Sequence, residues 1–273
     1  MNYIEIVIPN AVGARAEEIV ALLADEPYEG FEEKDNGLHA YISDVNFNEA
    51  VLKGVLQNYG LDYAITQIPK TNWNKSWEEH FDPVMIEGFC TVRADFHDIK
   101  VDTPYEIIIT PKMSFGTGHH ATTKLMMLQM KEMDFQGKTV YDFGTGTGIL
   151  AILASKLGAA TIAGVDHEEW AVENARENFA RNSADHVRVE LGSIEKLPQS
   201  PCDMMLANIN RHVLLEYMGQ IRSRLKNSGM VLMSGILLED RSIIESAATS
   251  EGLQLVQARS SGDWLSLRFQ VAG

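Results

Sequence analysis

Cysteine is nearly absent from this chain: 273 residues contain two, Cys90 and Cys202, far apart and each in an apolar setting. That excludes a disulfide framework and a cysteine-based metal site. The two read as buried thiols in a reducing compartment, which points to the cytoplasm. Long apolar runs are lacking too. Lys156 interrupts the best one, so no membrane span is expected. The first ten residues, MNYIEIVIPN, have no basic region and carry Glu5, which does not suit a secretory signal. Basic residues are the next deficit. Lys and Arg number 23 against 38 Asp and Glu, a formal net charge of -15. Such a surface argues against direct nucleic-acid binding, which needs cations to displace counterions. It suits a basic protein partner, and equally plain solubility. The imbalance is steep at the start: residues 1–70 hold twelve acidic and four basic side chains, a balance of -8. No repeat or low-complexity tract is present.

What is there divides into three segments. Residues 1–68 read as a small α+β domain in the order βαββαβ, the ferredoxin-like arrangement. Its signals are a strand over Tyr3–Ile8, helical spacing at Ala16, Ile19, Val20 and Leu23, and a hairpin around Asn36-Gly37. A second helix runs through Phe47, Val51 and Val55, and a strand ends at Ile68. Residues 69–110 read as a connector with two strands, Phe89–Ala94 and Glu106–Thr110. Trp73, Trp77, His80 and Phe81 share one helix face there, as packing between domains. Residues 111–273 alternate strand and helix, the pattern of a parallel doubly wound sheet. The end differs: Leu253–Ala258 and Trp264–Val271 are separated by a turn too short for a parallel crossover, so they form an antiparallel hairpin. The fold class is therefore α/β, a Rossmann-like sheet with a terminal antiparallel hairpin plus a small N-terminal α+β domain.

The densest motif is VYDFGTGTGIL, Val140–Leu150. A buried strand carries Asp142, then glycines at 144, 146 and 148 lead into a helix. Gly144, Gly146 and Gly148 permit positive φ and close approach of a ligand to the backbone. The helix N-terminus favours an anionic group. A dinucleotide fingerprint needs a small third residue one place later, where Ile149 stands. The spacing resembles instead the first motif of S-adenosylmethionine (SAM)-dependent methyltransferases. Asp166 ends the next apolar run, about 20 residues on, where an acid takes ribose hydroxyls in nucleotide-binding units. It also suits a helix N-cap. A second glycine loop, Gly116-Thr117-Gly118, precedes a helix that begins near Ala121 and can wrap the methionine end of a cofactor. Adjacent His119 and His120 have no third ligand at fitting spacing, so no metal site is expected. Asn208 ends the strand Asp203–Asn208, where open α/β sheets place ligands. Its carbonyl oxygen can accept from an amine, which makes it the candidate catalytic residue. It also suits a cap on the helix starting near Asn210.

Together these motifs resemble the PrmA family, the bacterial ribosomal protein L-eleven methyltransferases. The resemblance rests on Phe115-Gly116-Thr117-Gly118 with His120 and Thr122-Thr123, on Asp142 through Ile152 with Ala154, on Val165-Asp166, and on Ala207-Asn208-Ile209. It spans the chain from the small first domain to the last hairpin. It implies SAM-dependent methylation of lysine ε-amines and of the N-terminal amine of a large-subunit ribosomal protein. It implies that the N-terminal domain binds that substrate and moves relative to the catalytic domain. By position it assigns cofactor contacts to Thr123, Gly144, Asp166 and Asn208, with Phe115 lying over the cofactor. Thr145 replaces a cysteine common in the family, and His119 and Ala121 replace Thr and Pro. The residues alone also allow an N-methyltransferase of another protein or small amine, or a SAM-binding assembly protein without activity.

Overall fold

The computed structural model describes residues 3–23, 26–34, 36–68, 82–110 and 116–272. The chain forms two compact units, Met1–His80 and Phe81–Gly273. The aromatic stretch Trp73–Phe81 and the candidate Phe115 lie outside the described residues.

In the first unit β1 (Tyr3–Pro9), β2 (Tyr28–Lys34), β3 (Gly37–Ser43) and β4 (Ala64–Ile68) form one sheet, with helices Ala14–Leu23 and Glu49–Gln57 in the connections. The sheet order is β2-β3-β1-β4, and every neighbouring pair is antiparallel. One face of alternating residues, Ile4, Ile6, Ile8, Leu38, Ala40 and Ile42, packs on Ile19, Leu23, Leu52 and Leu56 of the helices. The period of two in the strands dictates this face. Gly37 sits at φ 137°, and a Cβ there would fall 2.2 Å from the Ile8 carbonyl oxygen, so only glycine fits the hairpin. Asn48 caps the second helix by accepting from the Ala50 N–H at 3.1 Å.

The second unit begins with β5 (Val84–Ile86), β6 (Cys90–Ala94) and β7 (Tyr105–Ile109), a three-stranded sheet. The expected connector thus carries one strand more than its sequence suggested, and these strands belong to the second compact unit. The main sheet has seven strands in the order β10-β9-β8-β11-β12-β14-β13. These are β8 (Thr139–Phe143), β9 (Thr161–Asp166), β10 (Arg188–Leu191), β11 (Cys202–Asn208), β12 (Leu225–Leu237), β13 (Leu253–Ser261) and β14 (Trp264–Val271). The pairs from β10 to β12 are parallel, and β14 runs antiparallel to both β12 and β13. This is the expected α/β sheet with its terminal hairpin. Strand β12 and helix Arg241–Ser250 were not anticipated.

Alternate residues of the central strands feed two cores. Val140, Met204 and Leu206 face one, with Met126, Leu150 and Val172 from helices Ala121–Met130, Ile149–Lys156 and Glu169–Arg181. Tyr141, Met205 and Ala207 face the other, with Leu214 and Ile244 from helices Arg211–Ser223 and Arg241–Ser250. Strands covered on both sides read as continuous apolar runs, which is why Tyr141–Phe143 and Met204–Ala207 are buried throughout. The C-terminal ends of β8, β9, β10 and β11 are left to carry the site.

Candidate active site

The glycine turn leaves β8 with Gly144, Gly146 and Gly148 at φ 79°, 53° and 80°. Non-glycine residues pay about 1–2 kcal/mol in that region. A Cβ on Gly144 would stand 2.2 Å from Ile209 Cγ2, and one on Gly148 2.5 Å from the Phe179 ring. Gly148 is the N-cap of helix Ile149–Lys156 and has no side chain to cap with, so the helix start is bare backbone.

Two side chains lock this turn. Asp166, at the end of β9, accepts from the Gly146 N–H at 2.8 Å and from the Glu168 N–H at 3.1 Å. It is 9% exposed. Asn178 donates to the Thr147 carbonyl at 2.9 Å and accepts from the Thr110 N–H at 2.7 Å. Asn182 and Asn174 continue this ladder, to Ile108 and to the Thr110 carbonyl. Sequence reasoning missed it, since three Asn spaced four apart along a helix and its C-cap read as surface. The two glycine loops are joined as well: Thr147 Oγ1 donates to the Gly116 carbonyl at 2.7 Å.

Asp142 lies beneath the turn, fully buried. Thr145 Oγ1 donates to its Oδ2 at 2.7 Å, while its Oδ1 has no partner among the described residues. Burial, aided by the nearby Asp166 charge and opposed by Thr145, pushes its carboxyl up to about 7.

Asn208 closes the far side. Its Nδ2 lies 3.4 Å from Thr123 Oγ1, and its Oδ1 is buried without a partner among the described residues. The competing role of helix cap falls to Asn210, whose Oδ1 accepts from the Val213 N–H at 3.1 Å. Thr123 is fully buried behind Asn208. His120 caps helix Ala121–Met130, its Nδ1 accepting from the Thr122 N–H at 3.3 Å. Among the described residues no group of three His, Cys, Asp or Glu could hold a metal ion. Cys90 and Cys202 are free and buried, which pushes both thiols up to about 12.

These residues meet around a cavity of about 760 Å³. Of the candidate residues, Gly144, Gly146, Asp166 and Asn208 line it. Gly116, Thr117, Gly118, Thr123, Asp142 and Gly148 do not. Trp170, Gly192, Ser193, Tyr217, Gly235 and Trp264 line it and were not foreseen. Gly192 and Ser193 had a readable signal, as a small pair just after a strand of a parallel sheet. Trp264 had none, because nothing local shows that the last hairpin reaches the site.

The polar groups suit an adenosyl amino acid. Asp166 offers a carboxylate to vicinal hydroxyls, the glycine turn offers bare backbone, and the orphaned Asn208 Oδ1 offers an acceptor to an amine.

The profile of the family "Ribosomal protein L11 methyltransferase (PrmA)" matches residues 12–272. The chain belongs to this family. It is 42% identical over 256 residues to the ribosomal protein L11 methyltransferase of Porphyromonas gingivalis, covering 91% of this chain and 88% of that protein. It is 35% identical to the Phocaeicola vulgatus protein of that name, over 98% of this chain and 99% of the other. The crystal structure of the ribosomal protein L11 methylase from Lactobacillus delbrueckii subsp. bulgaricus superposes with a TM-score of 0.64 at 27% identity, over 71% of this chain and 99% of that one. The protein is an enzyme of the methyltransferase class. No helix among the described residues is long and apolar enough to cross a membrane.

Proposed function

We propose that this enzyme uses SAM to methylate lysine ε-amines and the N-terminal amine of ribosomal protein L11. The observation that carries the reading is Asn208: it lines the same cavity as Gly144, Gly146 and Asp166, and its buried amide oxygen has no partner among the described residues. SAM supplies an electrophilic methyl group on a positively charged sulfur.

The protein's own residues then do three things. They bind: Asp166 takes the ribose hydroxyls, the glycine turn takes the polar end through its backbone, and Asn208 contacts the cofactor. The family resemblance also assigns Phe115 to that hold, while Gly116, Thr117, Gly118 and Thr123 act indirectly, the loop through Thr147 and Thr123 through Asn208, with Asp142 and Gly148 as supports. They exclude water: Phe143, Val165, Ile209 and Tyr217 give the cavity an apolar lining. They orient: Asn208 accepts from the target nitrogen and leaves its lone pair for the methyl carbon. A lysine of pKa ~10.4 costs roughly 4–5 kcal/mol to deprotonate at pH 7. Desolvation in the cavity lowers that cost. Asp142 is not a general base for this proton, since it does not line the cavity and is tied to Thr145. The proton leaves to water before the amine is enclosed.

We assign substrate capture to residues 1–68, joined through 69–110 to a catalytic domain at 111–273. The balance of -8 over residues 1–70 suits a basic ribosomal protein and neither a nucleic acid nor a membrane. The cytoplasm, where ribosomal proteins are made, is the matching compartment. The test is transfer of labelled methyl from SAM into the purified ribosomal protein. Incorporation that Asn208→Ala removes supports the reading. SAM binding with no transfer to this protein would overturn it and leave a methyltransferase of another substrate.

A further inference from the structure

We propose that Trp264, backed by His120, is the wall against which the target lysine lies, and that its π face holds the amine once it carries methyl groups. The proposal rests on the functional reading above and names the substrate subsite of that site.

Strand order divides the cavity. Asp166 ends β9, and Gly192 and Ser193 follow β10, both on one side of the β8–β11 pair. Gly235 in β12 and Trp264 at the start of β14 lie on the other side. Asn208 ends β11, between them. The first side carries the acid and glycine features suited to the cofactor. From β12 and β14 come only a bare backbone and an aromatic ring, which suit an alkyl stem, while Glu216 of helix Arg211–Ser223 also lines the cavity.

The ring is fixed. Trp264 pairs with Leu237 of β12 and with Ser261 of β13, so the sheet holds its backbone from both sides. The Leu238 N–H donates to the Asp263 carbonyl at 2.9 Å, tying the hairpin turn down just before it. His120 meets the indole edge to face, centroids 4.7 Å apart at 69°. The imidazole is itself anchored, through Nδ1, at the start of helix Ala121–Met130. Trp264 is half-buried, whereas Leu265, Leu267 and Phe269 of the same strand are buried in the core. Core packing therefore does not explain it.

The chemistry of the product explains an aromatic here. Each methylation removes an N–H that Asn208 could accept from, while the alkylated amine remains a cation at neutral pH. An indole face attracts such a cation without needing a donor, and tryptophan does so best among the aromatics.

The test compares Trp264→Phe, Trp264→Leu and Trp264→Ala in the full-length enzyme. It reads SAM affinity by calorimetry and kcat/KM for the ribosomal protein. It also reads inhibition by the fully methylated ribosomal protein. SAM affinity in each variant reports its folding, and the Phe and Leu variants keep the apolar bulk if Ala does not fold. The expected result is SAM affinity within about twofold of the parent, with kcat/KM and product inhibition lowered roughly 2- to 30-fold in Leu, and less in Phe. Leu and Phe behaving alike would overturn the π-face proposal, as would SAM affinity falling in step with activity. A parent enzyme inactive on the ribosomal protein would instead overturn the functional reading.

Discussion

Replacing Asp166 by Asn tests the cofactor assignment most stringently, because the side chain keeps its shape and loses its charge. In the structure both carboxylate oxygens are engaged, one with the Gly146 N–H at 2.8 Å and one with the Glu168 N–H at 3.1 Å. An amide can accept only one of them. The other N–H then faces an NH2 group. A hydrogen bond to a charged group contributes about 1.5–3 kcal/mol, so the folded state should lose an amount in that range. Loss of the charged acceptor for the ribose hydroxyls costs a similar amount in binding, which is roughly 10- to 150-fold in SAM affinity. Asp142 should respond as well, because the Asp166 charge is one of the causes that raise it. Urea denaturation gives the stability loss and calorimetric titration gives the affinity. A folded Asp166→Asn protein that binds SAM with the parent's Kd would refute the reasoning.

Asn208→Ala should lower turnover more than SAM affinity; equal losses in both would make Asn208 a cofactor residue only. Asn178→Ala leaves the Thr147 carbonyl and the Thr110 N–H unpaired, and should cost about 2–4 kcal/mol in urea denaturation. Asp142 holds its proton more tightly in the folded state, so its contribution to stability is complete below ~pH 4 and is lost as pH rises through about 7. The parent should therefore weaken relative to Asp142→Asn between ~pH 5 and ~pH 8; parallel denaturation midpoints across that range would contradict the burial argument. Binding of the ribosomal protein should weaken with added salt if the acidic first unit steers it, and salt-independent association would leave shape and apolar contacts as the recognition mode.

The sheet and the glycine turn were legible because both are local patterns. Strands β8 and β9 end where the apolar runs end, at Phe143 and Asp166. The hairpin at Asn36-Gly37 follows from a conformation only glycine adopts. Strand β12 was not legible, because Asn227-Ser228-Gly229 inside it imitates a turn. Helix Arg241–Ser250 buries few side chains, Ile244 and Ala248 among them, too weak a stripe to read. Of the residues around the cavity, those at strand ends were legible in the sequence and those brought by tertiary packing were not. Trp264 arrives from the last hairpin, and Asn178 reaches the turn from helix Glu169–Arg181. Neither contact has a counterpart in sequence spacing.

The central claim is that one cavity brings SAM and an amine of the ribosomal protein together. Mass spectrometry of purified ribosomal protein L11 after incubation with this enzyme and SAM tests it most directly. Methyl additions confined to lysine ε-amines and the N-terminal amine, and absent with Asn208→Ala, are the predicted result. An unmodified ribosomal protein in the presence of active, SAM-bound enzyme would contradict it.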